Sequence, residues 1–244
     1  MEISSPSPEQ LQSAYDQWHF TQDEDDHDTS PWHEMVKAHL RDEDLNGRRV
    51  LEIGCGRGGF TCWLARQARP NPPELTAADF SQNALDRAQS QADRLGLDRI
   101  SWSQEDIQRL SFPDACFDTV ISCETIEHVP DVAQAVGELA RVLRPGGRLI
   151  LTTPNYLGQS GLYRLYCLAL GRKWTEAGQP FAHWMFLPKT IGFVKRAGLT
   201  IRAVDGVGHW LPIPRRPIRL HFMDGARWLT KWFALHSLVV GEKK

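Results

Sequence analysis

The sequence predicts a single doubly wound α/β domain: a mainly parallel sheet with helices on both faces. Three observations carry this expectation. Beyond Arg49, short apolar stretches alternate with longer stretches of helical period, and strands of near-continuous apolar character need cover on both faces. A chain of 244 residues suits one such domain with insertions better than two separate domains. A glycine-rich turn also follows the first strand and opens the next helix, the place where such folds bind ligands. Apolar residues make up 41% and charged residues 24%, a mixture able to build a core.

Residues 1–47 read as an N-terminal helical segment and lid. LQSAYDQWHF is helical, and the acidic run at 23–28 is a solvated loop or a flap over a site. Ser30 offers an N-cap and Pro31 the first position of a helix running to about Leu40. Residues 48–154 form the core. VLEIG is the first strand and FTCWLARQA the helix after it; LTAADF is the second strand. Ser81 caps the helix NALDRAQSQADRLG, which Gly96 closes. ISWSQED and FDTVISCE are the third and fourth strands, and Asp131 with Gln134 gives a capping-box-like start to AQAVGELARVL. Pro145-Gly146-Gly147 turns into the fifth strand, RLILTTP. Residues 155–186 are an insertion. Residues 187–244 complete the same sheet: Pro188 starts KTIGFVKRAG, Gly198 ends it, and LTIRAVDGV and LHSLVVGEKK are the sixth and seventh strands. Between these two strands, 208–233 is a second cap segment rich in Pro, Arg and Trp, with a helix near ARWLTKWFA. No internal repeat is present.

Net charge is −2 and the pI about 6.5, so no global field draws the chain to phosphate backbones, and nucleic acid is not an expected partner. Five cysteines (Cys55, Cys62, Cys116, Cys123, Cys167) form no CxxC pair, which disfavours zinc and disulfides; reduced thiols point to the cytoplasm, and no metal is expected. MEISSPSPEQ lacks a basic region followed by an apolar stretch, so no signal peptide is expected. No run approaches the roughly 18 apolar residues of a membrane span.

The turn Gly54-Cys55-Gly56-Arg57-Gly58-Gly59 lets a ligand approach bare backbone at a helix N-terminus with free N–H donors. Taken alone it is weakly specific. Residues 54, 56 and 59 satisfy GxGxxG and Asp79 stands where a ribose-binding acid of a nicotinamide enzyme would stand, so that reading stays open here. Three features weigh against it: Glu52 two residues before the first glycine, Asp106 followed by Ile107 at the end of the third strand, and a chain that closes helix–strand–helix–strand.

Four motifs, VLEIGCGRGGF, LTAADFSQNAL, EDIQRLSFPDACFDTVISCETIEHVPD and RVLRPGGRLILTTPN, span 49–154 in fitting order. With them the chain resembles class I S-adenosylmethionine-dependent methyltransferases of the methyltransferase-11/ubiquinone-methylase-like group. The resemblance implies a seven-stranded sheet whose last strand is antiparallel, with S-adenosylmethionine as cofactor and S-adenosylhomocysteine as product. It implies that Glu52, Gly54, Cys55, Gly56 and Gly58 surround the methionine part and that Asp79 accepts the ribose hydroxyls. Phe80 would lie against adenine, Asp106 would receive the adenine amino group beside the Ile107 backbone, and the Cys123 carbonyl would hold the methionine amino group. Blander roles stand beside these: Asp79 as a helix-start residue, Asp106 as a loop acid, Glu52 as a structural acceptor, Cys55 and Cys62 as packing.

A sulfonium methyl is already activated, so the protein must align an acceptor, exclude water and take a proton where the acceptor is a hydroxyl. His128, shortly after the fourth strand, is the candidate base because a near-neutral imidazole suits proton removal; the alternative is a residue that orients Glu124 or shapes the pocket. The insertion carries Tyr156, Tyr163, Tyr166, Trp174, Phe181 and Trp184, and Trp210, Trp228 and Trp232 follow in the second cap. Tyr156, Tyr163, His183 and Trp184 are the candidate acceptor contacts, and Tyr15, Trp18 and His19 could close over the cofactor. Apolar walls with polar tips point to a small, aromatic or lipid-like acceptor methylated at oxygen. The alternatives are a methyltransferase acting on a protein or other macromolecule and a non-catalytic S-adenosylmethionine-binding module. GLYRLYCLALGRK also reads as an amphipathic helix flanked by Arg172 and Lys173, so the chain could touch a membrane peripherally.

Overall fold

A computed structural model describes residues 8–21, 28–67, 69–171, 179–211, 218–220, 223 and 230–244. Its strands are β1 (Arg49–Ile53), β2 (Glu74–Asp79), β3 (Ile100–Gln104), β4 (Phe117–Cys123), β5 (Leu143–Pro154), β6 (Leu199–Val207), β7 (Trp210–Leu211), β8 (Ile218–Arg219) and β9 (His236–Lys243). The helices are α1 (Pro8–Thr21), α2 (Pro31–His39), α3 (Asp42–Leu45), α4 (Gly59–Arg66), α5 (Gln82–Arg94), α6 (Val132–Val142), α7 (Gln159–Ala169) and α8 (Leu187–Arg196).

Seven strands form one sheet in the order β3-β2-β1-β4-β5-β9-β6. β1 to β5 run parallel, and β9, inserted between β5 and β6, is antiparallel to both. The seven strands and the reversed last one match the expectation. The ribbon of β7 and β8 was not foreseen. The chain winds from β1 out to β3 and then returns to β4 on the other side of β1. A crevice opens where a parallel sheet changes direction in this way.

Strand parity decides which core each side chain joins. Leu51, Ile53, Val120, Leu149, Leu151 and Val239 pack with Val136 and Leu139 of α6 and Val194 of α8. Val50, Ile121, Ile150, Leu238 and Val240 pack on the opposite face with Met35 and Val36 of α2, Leu45 of α3, and Phe60 and Leu64 of α4. With both faces covered, the strands need apolar residues at every position, which is why they read as continuous apolar runs.

Local signals hold in most places and bend in a few. Ser81 caps α5, its hydroxyl accepting the Ala84 N–H at 3.2 Å, and Gly96 closes that helix at φ +68°. Ser30 precedes α2 with extended backbone but makes no side-chain cap bond. Asp131 accepts the Gln134 N–H at 2.9 Å, while the Gln134 side chain donates to the Gln108 carbonyl instead of returning to Asp131; Gln108 Oε1 takes the Asp131 N–H in its place. β5 begins earlier than expected, at Leu143. That residue pairs with Phe117 before the register shifts to Thr119 and Arg148, so Pro145-Gly146-Gly147 is a bulge within the strand. A Cβ on Gly147 would stand 2.9 Å from the Asp118 carbonyl oxygen, so only glycine fits. Near ARWLTKWFA a 3-10 turn covers Lys231–Phe233; residues 226–229 of that stretch, the acidic run before Asp28, and Arg172, Lys173 and Trp174 lie outside the described residues. Among the described residues no helix is long and apolar enough to cross a membrane.

One buried ion pair ties α3 beneath the sheet. The Asp44 carboxylate accepts from the Arg148 guanidinium at the foot of β5, and its Oδ2 also accepts the Arg41 N–H at 2.8 Å. The Asp44 carbonyl takes the Thr119 hydroxyl at 2.8 Å. Removing one partner of a buried pair leaves an uncompensated charge. Asp44→Ala is therefore expected to lower unfolding stability by about 3–5 kcal/mol in urea titration, and Asp44→Ala with Arg148→Met to recover part of the loss. An Asp44→Ala protein as stable as the parent would show that the pair carries no such weight.

Candidate active site

The C-terminal ends of β1, β2 and β4 open onto a cleft of about 300 Å³, which α1 and the start of α2 also line. Asp79, the last residue of β2, is 7% exposed. Its Oδ2 accepts the Gly56 N–H at 2.8 Å and its Oδ1 the Ser81 N–H at 2.9 Å. The carboxylate thus steadies the start of α5, the blander role weighed for it in sequence, and also faces the cleft beside the glycine turn.

Three glycines of that turn differ in what excludes a side chain. Gly54 has φ +76° and a Cβ there would meet Thr125 Oγ1 at 2.2 Å; Gly58 has φ +81° and would meet Ala88 Cβ at 2.8 Å. Those two glycines permit close packing. Gly56, at φ +53°, has no atom within 4 Å of its would-be Cβ and lines the cleft, so the space it leaves belongs to the cleft.

Glu52, 3% exposed, accepts the Thr61 hydroxyl at 2.6 Å. Burial, with the neighbouring Asp79 charge adding to it, pushes its carboxyl up to about 8, against the opposing Thr61 bond. Burial likewise pushes the Cys55 and Cys123 thiols well above their usual value, so both stay protonated, and the neighbouring Asp79 adds to the shift at Cys55. The Cys123 carbonyl accepts the Thr125 hydroxyl at 2.9 Å and its residue lines the cleft, as do Phe80 and Ile107.

Asp106 is placed differently from the expectation. The wall here is made by its neighbours Glu105 and Ile107, while Asp106 Oδ1 accepts the Gln108 N–H at 2.9 Å in a local turn. Glu105 is itself engaged, accepting from the Ser103 and Ser111 hydroxyls and the Ser111 N–H.

His128 lines the cleft, but its near-neutral titration is not found: burial pushes it down to about 4. Its Nδ1 stands 2.7 Å from the Phe181 carbonyl, which can only accept, so the ring proton sits on Nδ1 and Nε2 keeps its lone pair. Nε2 is 3.4 Å from the buried Glu127 carboxylate.

None of the four expected acceptor contacts lines the cleft. Tyr156 is core, tilted against Trp184 at 5.4 Å, with the Arg164 guanidinium over both rings. His183 reaches the Pro130 carbonyl at 3.2 Å, and Tyr163 faces outward on α7. The aromatic wall comes instead from Trp32 and His33 of α2 and Phe60 of α4, the last two stacked at 4.8 Å. Glu124 completes that side. It holds a positive φ of +49°, rare for a non-glycine residue, and its Oε2 meets His236 Nδ1 at 2.9 Å. Sequence patterns carry no signal for this pair, which joins residues 112 apart.

Over the other end lies α1, bringing Tyr15, Trp18 and His19 to the cleft. Asp16 Oδ1 accepts the Ser81 hydroxyl at 2.5 Å, Arg57 donates to the His19 carbonyl at 2.9 Å, and Gln12 donates to the Phe80 carbonyl at 3.4 Å. The helix is thus fastened to the glycine turn and to the residues following Asp79.

Residues 51–151 match the family described as "Methyltransferase domain". A ubiquinone biosynthesis O-methyltransferase of Alkalilimnicola ehrlichii is 33% identical over 168 residues, 67% of this chain and 65% of that protein. A fatty-acid O-methyltransferase of Mycolicibacterium smegmatis is 38% identical over 115 residues, 46% of this chain and 40% of that protein. The chain thus spans less than two-thirds of the length of either relative. In fold it is similar to an S-adenosylmethionine-dependent methyltransferase of Mesorhizobium loti, with a TM-score of 0.62, 20% identity, and coverage of 88% of this chain and 99% of that one. Residues 51–151 thus match the methyltransferase-11 domain family, and in sheet order and in the cleft at its turning point the chain is similar to class I S-adenosylmethionine-dependent methyltransferases.

Proposed function

We infer that this protein transfers a methyl group from S-adenosylmethionine to oxygen of a small, aromatic or lipid-like acceptor. The observation that carries the reading is a single cleft lined both by Asp79, Glu52 and the open Gly56 turn and by His128, Glu124, Trp32, His33 and Phe60. Relatives named as a ubiquinone biosynthesis O-methyltransferase and a fatty-acid O-methyltransferase support oxygen and an apolar acceptor.

The cofactor supplies an activated methyl on a positively charged sulfur. The Asp79 carboxylate, held by two backbone N–H donors, keeps lone pairs for two ribose hydroxyls. Phe80 and Ile107 would give adenine an apolar slot, and the Cys123 carbonyl and Glu52 would face the ammonium of the methionine part. His128 offers Nε2 to the acceptor hydroxyl, and the aromatic wall holds the acceptor and keeps water out.

Asp79→Ala is expected to weaken S-adenosylhomocysteine binding at least about a hundredfold in calorimetry, because two charge-assisted hydrogen bonds are lost together with the brace on the turn. Micromolar NADH binding with no homocysteine-adduct binding would instead return the chain to the nicotinamide reading.

A ligand ammonium beside Glu52 favours the carboxylate, so binding below pH 8 must release the Glu52 proton. Affinity should therefore climb with pH and level off near 8, and calorimetry at pH 7 in buffers of different ionisation heat should report close to one proton released. Glu52→Gln should abolish both effects, and equal proton release in that variant would assign it elsewhere.

With His128 held near 4, the imidazole is neutral throughout the physiological range. At saturating S-adenosylmethionine the rate of methyl transfer should be flat from about pH 8 down to 5 and fall only near 4. His128→Ala should lower that rate about a hundredfold or more with cofactor binding intact. A rate break near 6.5, or an unchanged rate in the variant, would remove His128 from the chemistry.

A further inference from the structure

α1 straddles the cleft, and two neighbouring residues fasten its two sides. Asp16 faces the end of β2: its Oδ1 accepts the Ser81 hydroxyl at 2.5 Å, and the Ser81 N–H in turn holds Asp79 at 2.9 Å. Gln12 donates to the Phe80 carbonyl on the same side. Arg57 and Arg87 donate to the His19 and Phe20 carbonyls near the end of the helix, where cations complement unpaired carbonyls. Tyr15 faces the other way. Its hydroxyl lies 3.3 Å from the Phe181 carbonyl and 3.5 Å from the His128 carbonyl, and its ring meets the His128 ring edge-on at 6.3 Å.

The Phe181 carbonyl is the one that holds the His128 Nδ1 proton at 2.7 Å. A carbonyl oxygen has two lone pairs, so it can accept from both donors at once. Phe181 belongs to a segment, 179–186, that runs beside the 3-10 turn Ile126–His128. There the His183 N–H donates to the Glu127 carbonyl at 2.7 Å, and His183 Nε2 stands 3.2 Å from the Pro130 carbonyl. Three pieces of chain that are distant in sequence thus meet at one oxygen: α1, the turn carrying His128, and the segment carrying Phe181.

Apolar burial adds little to the hold on α1. Among its described side chains only Leu11 is buried, and an element with few buried apolar contacts opens at low cost. Tyr15, Trp18 and His19 line the cleft, so a ligand lying there adds contacts to the docked helix that the undocked helix lacks. Such a difference in contacts is what lets a ligand shift an equilibrium between two states.

We propose that Tyr15 is a positioning residue that couples occupancy of the cofactor cleft to the alignment of His128. The inference rests on the reading of the cleft as an S-adenosylmethionine site and of His128 as the base. With the cleft filled, Trp18 and His19 seat α1. Tyr15 then fixes the Phe181 carbonyl, and that carbonyl fixes the imidazole with its proton on Nδ1 and Nε2 free for the acceptor. The base is aligned once the methyl donor is in place, and by reciprocity an aligned His128 tightens the hold on the cofactor.

Nuclear magnetic resonance of the chain labelled with [15N]histidine tests this without an acceptor, with S-adenosylhomocysteine as the probe. In wild type the probe should slow solvent exchange of the His128 Nδ1 proton, assigned by its loss in His128→Ala, and of the His183 N–H, each by at least about tenfold. Tyr15→Phe keeps the ring and removes only the hydroxyl; the Arg57 and Asp16 bonds remain. It should still bind the probe, with affinity lowered by no more than about the same factor of ten, yet show no slowing at either proton. Asp16→Ala, which unfastens the other side of α1, should lose the slowing as well. The proposal is overturned if wild type binds the probe with both protons exchanging as before, or if Tyr15→Phe shows the full slowing. A wild type that binds no S-adenosylhomocysteine at all is a different result: it removes the cofactor reading, and this proposal with it.

Discussion

A single carboxylate joins the three pieces of chain on which the cleft depends. Asp79 ends β2, accepts the Gly56 N–H of the turn after β1, and accepts the Ser81 N–H where α5 begins. Both donors are backbone groups near helix starts, where intrahelical partners are lacking and an unpaired buried N–H is costly. The same bonds fix the carboxylate in place before any ligand arrives, so orientation carries no further entropy cost on binding. The N-terminal helix extends the arrangement, since Asp16 takes the Ser81 hydroxyl and Arg57 holds the His19 carbonyl.

Proton positions in the cleft follow from this arrangement and from burial. Asp79 has backbone donors for its charge; Glu52 has one hydroxyl and a neighbouring negative charge, so its proton is retained toward pH 8. His128 meets the opposite outcome from the same burial, because desolvation disfavours its cation. At neutral pH Glu52 and His128 are therefore both neutral where they line the cleft. A cationic ligand shifts that balance in its own favour, since Glu52 gains a reason to ionise only when positive charge arrives. The cleft thus responds most to ligands that carry both hydroxyls for Asp79 and a cation for Glu52.

Much of the scaffold was legible from local rules. Period and apolar runs located the seven strands of the main sheet, and Ser81 and Gly96 marked the ends of α5 by the bonds and backbone angles those residue types favour. The placement of Glu52, Gly56 and Asp79 at the cleft was legible because they lie at strand tips, where topology leaves little freedom. The placement of the insertion's aromatic residues was not. Tyr156, His183 and Trp184 carry the residue types of a pocket, but whether an aromatic side chain faces a cleft or a core depends on how the insertion folds back, which period does not encode. α7 shows the same limit: its amphipathic pattern was visible, yet nothing in the pattern says that Arg164 is the buried side and the leucines the exposed one. The short β7–β8 ribbon left no periodic trace because two residues per strand have no period.

The reversed strand β9 explains why the far side of the cleft contains residues that are remote in sequence. In a parallel strand the residue nearest the cleft is the last one; in β9 it is the first. His236 pairs with Pro154 at the end of β5 and with Val207 at the end of β6, so its imidazole stands at the level of the cleft. From there it reaches Glu124, which follows β4 with a positive φ that costs about 1–3 kcal/mol to hold. Trp32, 4.8 Å from the His236 ring, ties α2 to the same group. A parallel β9 would have brought Lys243 to this level and left Glu124 without its partner. The antiparallel insertion therefore does more than complete the sheet: it carries a histidine to Glu124 and Trp32, two residues that line the cleft.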